Sequence, residues 1–177
     1  MPPPPERSSD EVAAAAERQR GVVRETPVLS HEALDEAAGA EVLIKAECLQ
    51  VTGSFKIRGA MNRLAQVPPE GKKAGVVAFS SGNHAQGVAR AAKLLGMPAL
   101  IVMPADAPQV KVDGVIADGG EVYLYDRNTE DREEICARLA AERGAVIVPS
   151  YDDFDIIAGQ GTAGLEFARQ AEAMGKP

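Results

Sequence analysis

The stretch GVVAFSSGNHAQGVARAAKLLGMPALIVMP, residues 75–104, decides the fold. It opens on one short apolar run, GVVAFS, and closes on another, PALIVMP. Between them Ala85, Val88, Ala89, Ala92 and Leu95 recur at helical spacing and place one apolar stripe on a helix. Strand, helix and strand in succession make a βαβ unit, whose strands run parallel. Further along, APQVKVDGVIADGG reads as a helix ended by glycines, EVYLYD as a strand, TEDREEICARLAAERG as a helix and AVIVPS as a strand. The strand runs are continuously apolar rather than alternating, as expected for a sheet covered on both faces. The spacing therefore predicts an α/β fold with a three-layer open parallel sheet and helices on both sides.

Outside this rhythm the pattern is less regular. MPPPPERSS, residues 1–9, reads as a disordered tail, because four prolines start no packed element. DEVAAAAERQR reads as a helix with Asp10 as its cap, TPVLS as an extended piece, SHEALDEAAGA as a short helix beginning at Ser30 and stopped at Gly39, and EVLIKAE as a strand. After Ser150 a loop is expected, then a helix from about Thr162 to Met174.

Composition narrows the function classes. Apolar residues make up 45% of the 177 and the net charge is −7. That is a globular composition. No cluster of Lys and Arg offers a nucleic-acid surface, and no apolar run is long enough to span a bilayer. Cys48 and Cys136 lack metal-ligand spacing and point to a reducing compartment, so a cytoplasmic protein without a metal site is expected.

Three short segments carry candidate chemistry. In TGSFKIRGA, residues 52–60, Lys56 sits at the start of a helix behind a Gly-Ser turn, with Thr52 or Ser54 as cap. A helix N-terminus disfavours a cation. Partial burial beside Phe55 acts in the same direction, and an amine poised to lose its proton suits Schiff-base chemistry. A solvated lysine in a first helical turn is the plain alternative. SSGNHAQG, residues 80–87, lies at the carboxyl end of a strand, where open parallel sheets bind ligands. Its amides and the Ser80, Ser81 and Asn83 side chains can hold a carboxylate, although an ordinary capped turn is equally consistent with the motif alone. GQGTAG, residues 159–164, fits G-x-G-x-x-G but lacks the strand that should immediately precede it. A glycine-rich entry into a packed helix explains it better than a nucleotide site.

Together, ECLQVTGSFKIRGA, SSGNHAQGVA, MPADAPQVKV and YDDFDIIAGQGT resemble, in order and spacing, the pyridoxal-phosphate-dependent threonine and serine dehydratases of fold type II. The resemblance implies an ammonia-lyase that converts a β-hydroxy amino acid to a 2-oxo acid and ammonia. Lys56 would carry pyridoxal 5'-phosphate covalently and move the α-proton, with Phe55 packed beside it. Asn83 would bind the cofactor's phenolic oxygen, and Ser80, Ser81, Gly82 and His84 the substrate carboxylate. Ser81 would also act as acid or base on the opposite face. Cys48 and Phe154 depart from the family's usual Asn and Pro. The resemblance further implies a small α/β domain at 53–149, with 10–52 and 150–177 as parts of a larger domain. That domain's phosphate-binding glycine loop does not occur here, so a weak or inactive fragment or subunit is the alternative. An amino-acid substrate is the implied partner, with neither nucleic acid nor membrane, and self-association is left open.

Overall fold

The computed structural model describes residues 9–176. The expected tail lies outside the described residues except for Ser9, which already belongs to the first helix. The N-terminal part comprises α1 (Ser9–Arg18), β1 (Val28–Leu29), α2 (Glu32–Ala38), β2 (Ile44–Lys45) and a 3-10 turn at Glu47–Leu49. Next come α3 (Lys56–Ala65), α4 (Pro69–Lys72), β3 (Val76–Phe79), α5 (Asn83–Leu95) and β4 (Ala99–Pro104). Then follow α6 (Gln109–Ala117), β5 (Glu121–Tyr125), α7 (Arg132–Arg143), β6 (Val146–Ile147) and α8 (Phe154–Ala173).

Strands β5-β4-β3-β6 form one parallel sheet in that order. Side chains alternate across it, although β3, β4 and β6 are apolar throughout and β5 is apolar after Glu121. Val76, Ala78, Ala99, Ile101 and Met103 pack against α3, α5 and Val115 of α6. Val77, Leu100 and Val102 face Ile135, Cys136 and Leu139 of α7. Helices therefore cover both faces, and each fully buried Val, Leu or Ile contributes about 1.5–3 kcal/mol. The expected α/β architecture with a parallel sheet between helices is the one observed.

The ends of the chain differ from expectation. The apolar run EVLIKAE forms only the two-residue β2, paired antiparallel with β1. Lys45 and Glu47, on either side of Ala46, turn instead into a buried ion network. Asp10 lies inside α1 rather than capping it, and α2 begins at Glu32, behind a His31 cap, rather than at Ser30.

The largest correction concerns α8. It begins at Phe154, well before Thr162, because the Asp153 carboxylate accepts the N–H groups of Asp155 and Ile156 at 2.9 and 3.0 Å. GQGTAG is thus mid-helix, and neither an entry loop nor a nucleotide loop. Its first glycine is there for proximity: a Cβ on Gly159 would lie 2.7 Å from the Arg58 carbonyl and 2.7 Å from the Gly59 Cα. Helices α3 and α8 cross glycine to glycine. Gly159→Val is accordingly expected to cost about 3 kcal/mol, since backbone cannot yield to it. Gly164→Ala meets nothing within 4 Å and should gain about 0.5–1 kcal/mol from helix propensity. Urea unfolding of the two variants checks the opposite signs.

Candidate active site

Lys56 is the first residue of α3, and its place follows from the turn before it. Gly53 adopts φ 71°, the left-handed conformation that a side chain resists. Ser54 Oγ then accepts the Lys56 N–H at 3.4 Å, so of the two expected caps Ser54 is the one in contact. Thr52 Oγ1 is buried without a hydrogen-bond partner among the described residues. The half-buried Lys56 ammonium donates to the Ser150 carbonyl at 3.2 Å and lies 5.2 Å from the centre of the Phe55 ring. No carboxylate pairs with it among the described residues. Ser150 follows β6, so the amine sits at the carboxyl edge of the sheet.

The Ser80–Gly82 loop leaves the same edge. Ser80 N–H extends the ladder to the Val102 carbonyl at 3.1 Å, and Ser80 Oγ accepts the Gly82 N–H at 3.2 Å. Gly82 gives α5 no side-chain cap, so the first amides of this helix remain available as donors. Ser81 and Asn83 are exposed. Asn83 Oδ1 accepts from Lys111 at 2.7 Å.

His84 points inward and is only 3% exposed. Its Nε2 lies 3.3 Å from the Val148 carbonyl, which only accepts, so Nε2 carries the proton. Nδ1 is left as a buried acceptor without a partner among the described residues. Burial pushes the imidazole down to about 4, the charge of Lys56 adding to it against the Val148 carbonyl. The ring is therefore neutral at pH 7.

Gly87, one turn further along α5, joins the two halves of the site. A Cβ there would lie 3.1 Å from the Lys56 carbonyl carbon and 3.2 Å from the Ile57 nitrogen. Its absence lets α5 and α3 approach at the catalytic candidate itself. Lys56, Phe55 and Ser150 thus form one group, and Ser80, Ser81, Gly82 and Asn83 a second, with His84 beneath. Hollows of about 290 and 320 Å³ lie instead along α1 and α8, and neither is lined by Lys56 or Asn83.

Behind the site lies a network that the sequence reading missed. The Arg58 guanidinium is 1% exposed. It donates to both oxygens of Glu47 at 2.8 Å and to Glu166 at 3.1 and 3.2 Å. Lys45 also binds Glu166 and reaches the Thr26 carbonyl at 2.6 Å, while Thr26 Oγ1 donates to Glu47 at 2.6 Å. Gln19 Nε2 bridges the Arg58 and Gly159 carbonyls at 2.8 and 3.0 Å. Two cations and two carboxylates thus tie the N-terminal segment, α3 and α8 together. The one signal available was the placing of Arg58 between Lys56 and the close-packed Gly59.

No helix among the described residues is long and apolar enough to cross a membrane. Nor does any group of three or more His, Cys, Asp or Glu among them suit a metal ion. Cys48 and Cys136 are free, and burial, with Glu133 nearby, pushes the Cys136 thiol up to about 11.

Residues 20–177 match the family model described as pyridoxal-phosphate dependent enzyme. An L-threo-3-hydroxyaspartate ammonia-lyase of Pseudomonas sp is 55% identical over 163 residues, 90% of this chain and 51% of that protein. The structure of maize serine racemase superposes with a TM-score of 0.89 at 41% identity, covering 93% of this chain and 50% of the other. The crystal structure of a T.th. threonine deaminase gives 0.87 at 44% identity, covering 97% and 54%. The chain spans about half the length of the curated relatives it matches.

Proposed function

The chain belongs to the pyridoxal-phosphate dependent enzyme family, and we propose on that premise that the protein is an ammonia-lyase acting on a β-hydroxy amino acid. The observation that carries this is the Lys56 amine at the carboxyl edge of the sheet, without a carboxylate partner among the described residues, at the edge from which the Ser80–Gly82 loop also leaves. The residues suit the cofactor. Lys56 offers an amine to its aldehyde without breaking an ion pair, and the Asn83 amide offers a donor to its ring oxygen. When bound, pyridoxal phosphate supplies an electron sink beside the substrate's Cα.

The chain's own groups would do the rest. Lys56 Nζ would take the proton from Cα, and the Phe55 ring would shield it from water. The free amides of α5 with Ser80, Ser81 and Gly82 would hold the substrate carboxylate. His84, neutral and bonded to Val148, would support that loop from below. The exposed Ser81 hydroxyl would serve as acid or base on the face opposite Lys56. The products would be a 2-oxo acid and ammonia. The free cysteines favour a cytoplasmic setting.

The 55% identity to a hydroxyaspartate ammonia-lyase puts L-threo-3-hydroxyaspartate beside L-serine and L-threonine as candidate substrates. The test is an assay of all three with added pyridoxal phosphate. Equal amounts of 2-oxo acid and ammonia from at least one are expected. Inversion of serine without 2-oxo acid would favour a racemase, the activity named for the maize structure, and turnover of none would overturn the proposal.

A further inference from the structure

We propose that Lys111 is a positioning residue that fixes the side-chain amide of Asn83 with its N–H group turned toward the ligand; this rests on the site reading given above. Lys111 lies in the first turn of α6 and reaches back to the start of α5. Its ammonium donates to Asn83 Oδ1 at 2.7 Å and to Gln86 Oε1 at 3.0 Å. An ammonium has donors only, so both amides must turn their oxygens to it. The otherwise ambiguous orientation of Asn83 is thereby settled. Nδ2 faces away from Lys111 and has no hydrogen-bond partner among the described residues. Asn83 is therefore presented as a donor, which suits an anionic oxygen and not a ligand N–H.

The structure around Lys111 is built for this arrangement. A Cβ on Gly114 of α6 would lie 2.1 Å from Gln86 Nε2, so α6 carries no side chain where the Gln86 amide rests. Gln86 in turn holds Lys111 on the α5 side. The charge on Lys111 also polarises the Asn83 amide and strengthens its N–H as a donor. Without Lys111, an exposed asparagine at the first position of a helix has nothing to hold its χ2.

A double-mutant cycle tests this, reading the dissociation constant of pyridoxal phosphate by absorbance titration. Methionine keeps the aliphatic stem of Lys111, and melting curves confirm that each variant is folded. Lys111→Met is expected to weaken binding about tenfold, within the range of one charge-assisted hydrogen bond. Lys111→Arg, which also has donors only, should stay within about threefold of the unsubstituted protein. In the Asn83→Ala background Lys111→Met should have no further effect. Unchanged binding by Lys111→Met, or a full tenfold loss added to that of Asn83→Ala, would overturn the role of Lys111 alone. Absence of binding by the unsubstituted protein would overturn the site reading and this inference with it.

Discussion

Arg58→Met is expected to destabilise the protein by roughly 3–5 kcal/mol, the cost of removing one partner from a buried ion pair. For a chain of this size that is a fall of about 10 °C in melting temperature. Methionine fills much of the same volume, so the loss comes from Glu47 and Glu166 and not from a cavity. Lys45 still binds Glu166, whereas Glu47 keeps only Thr26 and the more distant charge of Lys45. Burial pushes the Glu47 carboxyl up, but the hydrogen bonds and charge of Arg58, with Thr26 and Lys45, outweigh it and hold the group below its ordinary 4.5. A carboxylate lowered in the folded state contributes stability that is present above its unfolded value and is lost as pH falls through the folded one. The gap between Arg58→Met and the unsubstituted protein should therefore narrow as pH falls below 4.5. Denaturant unfolding at neutral and acid pH measures both effects.

On the proposed function, Lys56→Ala should lower the rate of 2-oxo-acid release by about a thousandfold or more, since one side chain would both hold the cofactor and move a proton. Lys56→Arg separates charge from chemistry. It keeps a cation able to reach the Ser150 carbonyl but provides no primary amine, and it should be as inactive as alanine. Neither change should move stability by more than about 0.5 kcal/mol, because Lys56 is half-buried with one hydrogen bond from its ammonium. Rates and melting curves on the same preparations check the pair. Substantial activity in Lys56→Arg would show that the amine is not the reacting group.

The β3–α5–β4 unit was legible because a continuous apolar run and a helical stripe are local patterns, and parallel strands buried on both faces leave no other pattern. The start of α8 was not legible. Gly159 looks like a helix breaker in sequence, yet its glycine character answers to the backbone of Arg58 and Gly59, about a hundred residues earlier. Lys56 and the Ser80–Asn83 loop stood out through the hydroxyls and glycines around them. Arg58 did not, because an arginine is by default a surface residue and its carboxylates come from positions 11 and 108 residues away. Lys111 was hidden for the same reason, its partner Asn83 being 28 residues distant. Local chemistry is visible along the chain, whereas the groups that orient it are supplied by packing.

The central claim, that Lys56 is the amine the cofactor engages, is tested most directly by chemical trapping. The protein is incubated with pyridoxal phosphate, reduced with borohydride, digested and mapped by mass spectrometry. A pyridoxyl label on the peptide containing Lys56, absent from Lys56→Ala, is the predicted result. A label on Lys45, Lys93 or Lys111 in its place would contradict the account.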